Sequence, residues 1–176
     1  MFKRLFAVLL MGVVAITSGC SGMQTEIPED YSFSLTWGVN GISSYDSSTG
    51  KLVKTSDATK PEDYVTTYKL TEEEQEEIKE LLNDLDLKDY PNEYDPFNKP
   101  NSDKKVMTCP SQDIILMVNF GDEIVEINAI DIALADAESG YNRDARDFLK
   151  SVEKIIDILV ATDEWKALPE YEFYYD

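Results

Sequence analysis

The sequence predicts an α+β domain: an antiparallel sheet of two β-hairpins plus short strands, with two main helices packed on one face. Three observations predict it. Tyr31 to Trp37 alternates apolar and polar residues with period two. Two turn signals, Ser47-Ser48-Thr49-Gly50 and Gly121-Asp122, each separate a pair of strand-like runs. Two longer segments carry apolar residues at helical spacing.

In chain order, Tyr31, Phe33, Leu35 and Trp37 share one face of a half-buried strand. The apolar parity shifts at Ile42, after Gly38 and Gly41, so a bulge is expected there and Ile42 to Asp46 continues the strand. Lys51 to Thr55 returns as the second arm of a hairpin. Ser56 to Asp63 reads as a loop, and Tyr64 to Tyr68, β-branched and aromatic, as a third strand segment.

The first helix is announced by its cap. Thr71 with Glu74 three residues on forms a capping box, and Glu72, Glu73 and Glu74 suit the positive end of the helix dipole. Ile78, Leu81, Leu82 and Leu85 follow as one buried stripe. Asp113 to Phe120 and Glu123 to Ile130 read as a central hairpin around a Gly-first turn of type II′. Val106 to Thr108 suggests a short edge strand, and Asp131 to Ser139 is ambiguous. A second helix spans about Asp144 to Ala161, with Phe148, Leu149, Val152, Ile155, Ile156, Leu159 and Val160 as its stripe. Thr162 caps a short helix stopped by Pro169, and Tyr171, Phe173 and Tyr175 alternate as a last strand.

The amino terminus is a different kind of segment. Lys3 and Arg4 precede an apolar run from Leu5 to Ile16, which Thr17-Ser18-Gly19-Cys20 closes. This is the tripartite pattern of an export signal, too short for the ~20 residues of a membrane span. Ser18-Gly19-Cys20 resembles the lipobox of bacterial lipoproteins, with Thr17 where leucine is usual. That resemblance implies a diacylglycerol on the Cys20 thiol and cleavage before it. Two acyl chains anchor stably where one does not. Residues 1–19 are then a signal peptide, 20–30 the lipidated cysteine and an acidic tether, and 31–176 a single domain. The implied location is the extracytoplasmic face of a cell membrane.

Beyond the signal, Trp37-Gly38, Ile42-Ser43-Ser44-Tyr45-Asp46, Thr49-Gly50-Lys51-Leu52, Tyr68-Lys69-Leu70-Thr71, Tyr90-Pro91 and Glu164 to Tyr171 resemble small uncharacterised lipoproteins of gut-dwelling clostridia-type bacteria. The resemblance implies a Gram-positive membrane and brings no active site with it.

Composition narrows the chemistry. Loss of Lys3 and Arg4 with the signal takes the net charge from −19 to −21. Such acidity disfavours nucleic acid and electrostatic docking on anionic lipid. The chain has no histidine, which removes the usual acid/base group and the commonest zinc ligand. With Cys20 acylated, Cys109 has no partner in the chain and no histidine to activate it.

The candidate binding element is the long irregular stretch Lys88 to Lys105, rich in Pro, Asn and Asp. Tyr94, Asp95, Asn98, Asn101 and Asp103 are its candidate residues, and an envelope protein or a glycan its expected partner. The aromatic tail (Tyr171, Phe173, Tyr174, Tyr175) with Trp37 is a second candidate platform, although such residues are more often core. Calcium is the one candidate metal: Asp46-x-Ser48-x-Gly50, with Asp57 in twelfth place, faintly echoes an EF-hand loop. The glycine is fifth rather than sixth and no Glu closes it, so an ordinary turn is preferred. Ser-x-x-Lys occurs at Ser48–Lys51, Ser102–Lys105 and Ser151–Lys154 without its companion motifs. The expected function is therefore a membrane-anchored, non-enzymatic binding or structural module with no cofactor. The alternative is a small carboxylate-based hydrolase acting on cell-wall or sugar substrates.

Overall fold

A computed structural model describes residues 26–95, 110, 112–132 and 143–173. The signal, Cys20, Val106–Thr108, Cys109, residues 133–139, Tyr174 and Tyr175 lie outside the described residues.

The fold is α+β, built on a seven-stranded mixed sheet among the described residues. Its strands are β1 (Ser32–Trp37), β2 (Ser43–Asp46), β3 (Lys51–Val53), β4 (Val65–Thr67), β5 (Glu93–Tyr94), β6 (Gln112–Asn119) and β7 (Ile124–Ile132), in the spatial order β4-β3-β2-β1-β6-β7-β5. The helices are α1 (Glu72–Asn83), α2 (Arg143–Val160) and the short α3 (Asp163–Ala167).

Period-two alternation gives the sheet one buried face. Phe33 stands opposite Val118 and Leu35 opposite Leu116 across the β1–β6 pair, and Tyr45 and Leu52 extend the layer. Ile78, Leu81 and Leu82 of α1 and Phe148, Leu149, Val152, Ile155 and Leu159 of α2 close over it in a single core. Burying four aliphatic side chains of this kind contributes about 6–12 kcal/mol before entropy is counted. The capping box forms as the sequence predicts. The Thr71 hydroxyl accepts from the Glu74 N–H at 3.2 Å, and the Glu74 carboxylate accepts from the Thr71 N–H at 2.8 Å. Thr162 likewise caps α3, accepting from the Trp165 N–H.

Four expectations are corrected. The sheet is not wholly antiparallel, because β5 runs parallel to β7, with Glu93 opposite Asn128 and Tyr94 opposite Ala129. A two-residue strand carries no periodic signal. It is fastened from β7 instead, where the Asn128 N–H donates to the Asn92 carbonyl at 2.7 Å and the Asn128 side-chain amide to the Asn92 side-chain oxygen at 3.0 Å. The described part of the Lys88–Lys105 stretch, Lys88 to Asp95, runs from a 3-10 turn at Leu87–Asp89 into β5.

Second, Ile42 to Asp46 does not continue the first strand past a bulge. The chain reverses through positive φ at Gly38, Asn40 and Gly41, and β2 returns antiparallel with Ser43 opposite Trp37. The parity shift was a turn. Third, Tyr171 and Phe173 form no strand. The tail is held by side chains: the Tyr64 hydroxyl donates to the Glu170 carbonyl at 3.0 Å, and the Glu172 carboxylate accepts from the Thr59 N–H at 2.9 Å. Fourth, the expected tether is docked at its end. Ile27 is 1% exposed within the core, its N–H donates to the Asn83 side-chain oxygen at 2.8 Å, and Glu29 pairs with the buried Lys79.

Candidate functional site

A cleft of about 420 Å³ opens where three sequence-distant pieces meet: the end of α1, the stretch into β5, and the first turn of α2. That volume suits a small ligand or the tip of a larger one. Each wall has a local cause. Asp84 caps the carboxyl end of α1, and Asp86 starts the 3-10 turn that swings Tyr90 inward. Pro91 follows with its fixed φ. The parallel pairing of β5 then turns Tyr94 into the same corner.

The back of the cleft is aromatic. Tyr90 and Tyr94 meet edge to face at 5.1 Å, and both pack on the buried Phe148 of α2, at 5.3 and 5.4 Å. The Tyr90 hydroxyl donates to the Asp144 carbonyl at 3.1 Å, tying this corner to α2. The Tyr94 hydroxyl oxygen is buried and has no hydrogen-bond partner among the described residues. The rim is acidic. Among the described residues, Asp84, Asp86, Asp89, Asp144 and Asp147 line it with one cation, Arg143, whose Nε lies 3.6 Å from Asp147 on an exposed surface. The negative end of the α1 dipole adds to this field and the positive end of α2 partly offsets it. Burial, then Tyr94 and the Asp144, Asp147 and Asp86 charges, push the Tyr90 phenol up. Burial, then Asp144 and Asp95, push Tyr94 up to about 12. Both tyrosines are therefore neutral donors at ordinary pH, standing in a negative field.

Of the residues singled out from sequence, Tyr94 lines the cleft. Asp95 is exposed beside it and acts on Tyr94 through its charge. Asn98, Asn101, Asp103 and Cys20 lie outside the described residues. Sequence reasoning missed Tyr90, Asp84, Asp144 and Asp147. The first was visible in Tyr90-Pro91, but the convergence of α1 with α2 has no local signal.

Elsewhere, the other candidates resolve into structure. Trp37 is core, stacked on Trp165 at 5.7 Å. The Asp46 carboxylate accepts from the Ser48 N–H and hydroxyl and the Thr49 N–H within its own turn, so an ordinary hairpin turn accounts for it. No three of the described acidic side chains converge closely enough to hold a metal ion. Ser151 is buried on α2, with Lys154 exposed. No described helix is long and apolar enough to cross a membrane. Comparison with family models, curated proteins and solved structures finds no match to this chain.

Proposed function

We propose that this chain is an envelope lipoprotein, anchored through diacylglycerol on Cys20, whose domain is a non-enzymatic binding module for a cationic group. The observation that carries the binding reading is the cleft itself: among the described residues, five carboxylates and one guanidinium stand around an aromatic back wall. Aromatic faces and carboxylates together suit an amine or guanidinium, by charge and by cation–π attraction. Such a group on an envelope protein or an amino sugar would fit. The hydrolase alternative calls for a raised carboxylic acid in the cleft. Burial, with Asp157 one turn on, does push the Glu153 carboxyl up, but Glu153 does not line the cleft.

The test uses the full chain carrying Cys20→Ser, which cannot be acylated, titrated with arginine amide and followed by NMR. Saturable shifts are expected at Tyr90 and Tyr94. Asp144→Asn with Asp147→Asn should weaken binding about tenfold, two rim charges at roughly 0.7 kcal/mol each. Absence of saturation at millimolar ligand would sink the reading.

A further inference from the structure

Beside the cleft, α1 and α2 leave a groove of about 610 Å³ between them. Leu81, Ile158 and Ala161 are its apolar lining, with Leu81 buried and Ala161 exposed. Its rim among the described residues is acidic: Glu77 and Glu80 of α1, its cap Asp84, and Asp157 of α2 stand with one ammonium, that of Lys154. Asp84 also lines the cleft, so groove and cleft share one wall residue.

We propose that this groove docks a basic amphipathic helix of a partner protein, laid between α1 and α2 with a cationic side chain reaching the cleft. Two packed helices offer a third helix a ridge-and-groove seat, read by its apolar residues at i, i+3, i+4 and i+7. The twelve residues of α1 span ~18 Å, so about three turns of partner helix fill it. Charge selects the occupant. A second copy of this strongly acidic chain would bring like charge to the rim, and an anionic lipid surface is repelled for the same reason. A Lys/Arg-flanked helix meets both the apolar lining and the acidic rim. The proposal rests on the cleft being a cation site only through the shared Asp84.

The experiment uses the same full chain with Cys20→Ser. The probe is a synthetic leucine–lysine peptide of about four turns, patterned as an amphipathic helix. A scrambled peptide of identical composition is the control. The patterned peptide should bind at least ~10-fold tighter than the scrambled one and weaken as salt rises. Glu77→Lys with Glu80→Lys should weaken it ~10-fold or more and leave arginine amide binding unchanged. Glu62→Lys with Asp63→Lys, a charge reversal of equal size near β4, should change it less than ~2-fold. Equal binding of the scrambled peptide, or equal loss in both double variants, overturns the proposal, because the surface is then merely acidic. Arginine amide binding without peptide binding overturns the groove and leaves the cleft. Peptide binding that Glu77 and Glu80 control, without arginine amide binding, leaves the groove and removes the cleft.

Discussion

The Lys54 ammonium stands 5.7 Å from the centre of the Trp165 ring, at a residue 5% exposed. The Tyr171 ring lies 5.4 Å away and the Leu168 carbonyl 3.5 Å away. Among the described residues no carboxylate pairs with it. A buried cation held by aromatic faces and one carbonyl gains about 2 kcal/mol from the rings against a desolvation cost of similar order. Its stem meanwhile fills space between β3, α3 and the tail. Lys54→Ala should therefore destabilise by about 2–4 kcal/mol, mainly through the lost stem. Lys54→Met should recover at least half of that. Urea midpoints at constant m would show it. An alanine variant within ~0.5 kcal/mol of the parent would mean the tail is held by other contacts.

Thr71→Ala should cost about 1 kcal/mol, and up to ~2, by removing the α1 cap. For a chain of this length that lowers the melting midpoint by about 2–4 °C per kcal/mol. Scanning calorimetry on the two proteins reads it directly.

Stability should fall on acidification through Glu74. Burial alone would raise its carboxyl, but hydrogen bonds from the Tyr68 hydroxyl at 2.5 Å and from Thr71 outweigh this and hold it below the ordinary 4.5. A depressed carboxylate contributes stability that is present above its unfolded value and is lost as pH falls through the folded one. Glu74→Gln should therefore flatten the stability profile below about pH 4.5 and leave its slope near neutrality unchanged. An unaltered acid limb in that variant counts against the assignment.

Gly50→Ala should be worse than Gly121→Ala. Both positions have positive φ, +71° and +91°, which costs a side-chain-bearing residue about 1–2 kcal/mol. A Cβ at Gly50 would also stand 2.7 Å from the Tyr68 carbonyl, whereas at Gly121 it meets open space. Chemical denaturation of the two variants should separate them by at least ~1 kcal/mol. Equal losses would mean the Gly50 turn relaxes freely.

Cys20→Ser should release the protein from membranes into the medium. Unchanged membrane association in fractionated cells would remove the lipid anchor from the account.

What could be read in advance was what is written locally. The Thr71–Glu74 box, the Thr162 cap, the Gly121-Asp122 turn and the stripes of α1 and α2 depend on residues no more than seven apart. Their periodicity survives without tertiary context. β5 did not show, because two residues cannot display a period and Asn128, which fastens the preceding Asn92, lies 36 residues on from it. The Ile42 parity shift fitted both a bulge and a reversal, and the left-handed residues between Trp37 and Ser43 decided it. The cleft was half legible. Tyr94 belongs to the expected stretch, but Asp84 and Asp144 meet it only because α1 and α2 close on the same face of the sheet.

The docking of Ile27 bears on where the domain can look. On the anchor proposed at Cys20, only the six residues Ser21 to Glu26 would separate the lipid from the docked Ile27, a reach of ~20 Å at most. Ile27 lies beside Asn83, next to Asp84, so a lipid on Cys20 would keep the acidic corner close to the membrane surface. Ligands that drift free would meet it rarely. A basic juxtamembrane segment confined to the same plane would meet it at a high effective concentration, so even a weak intrinsic affinity would suffice for lateral pairing.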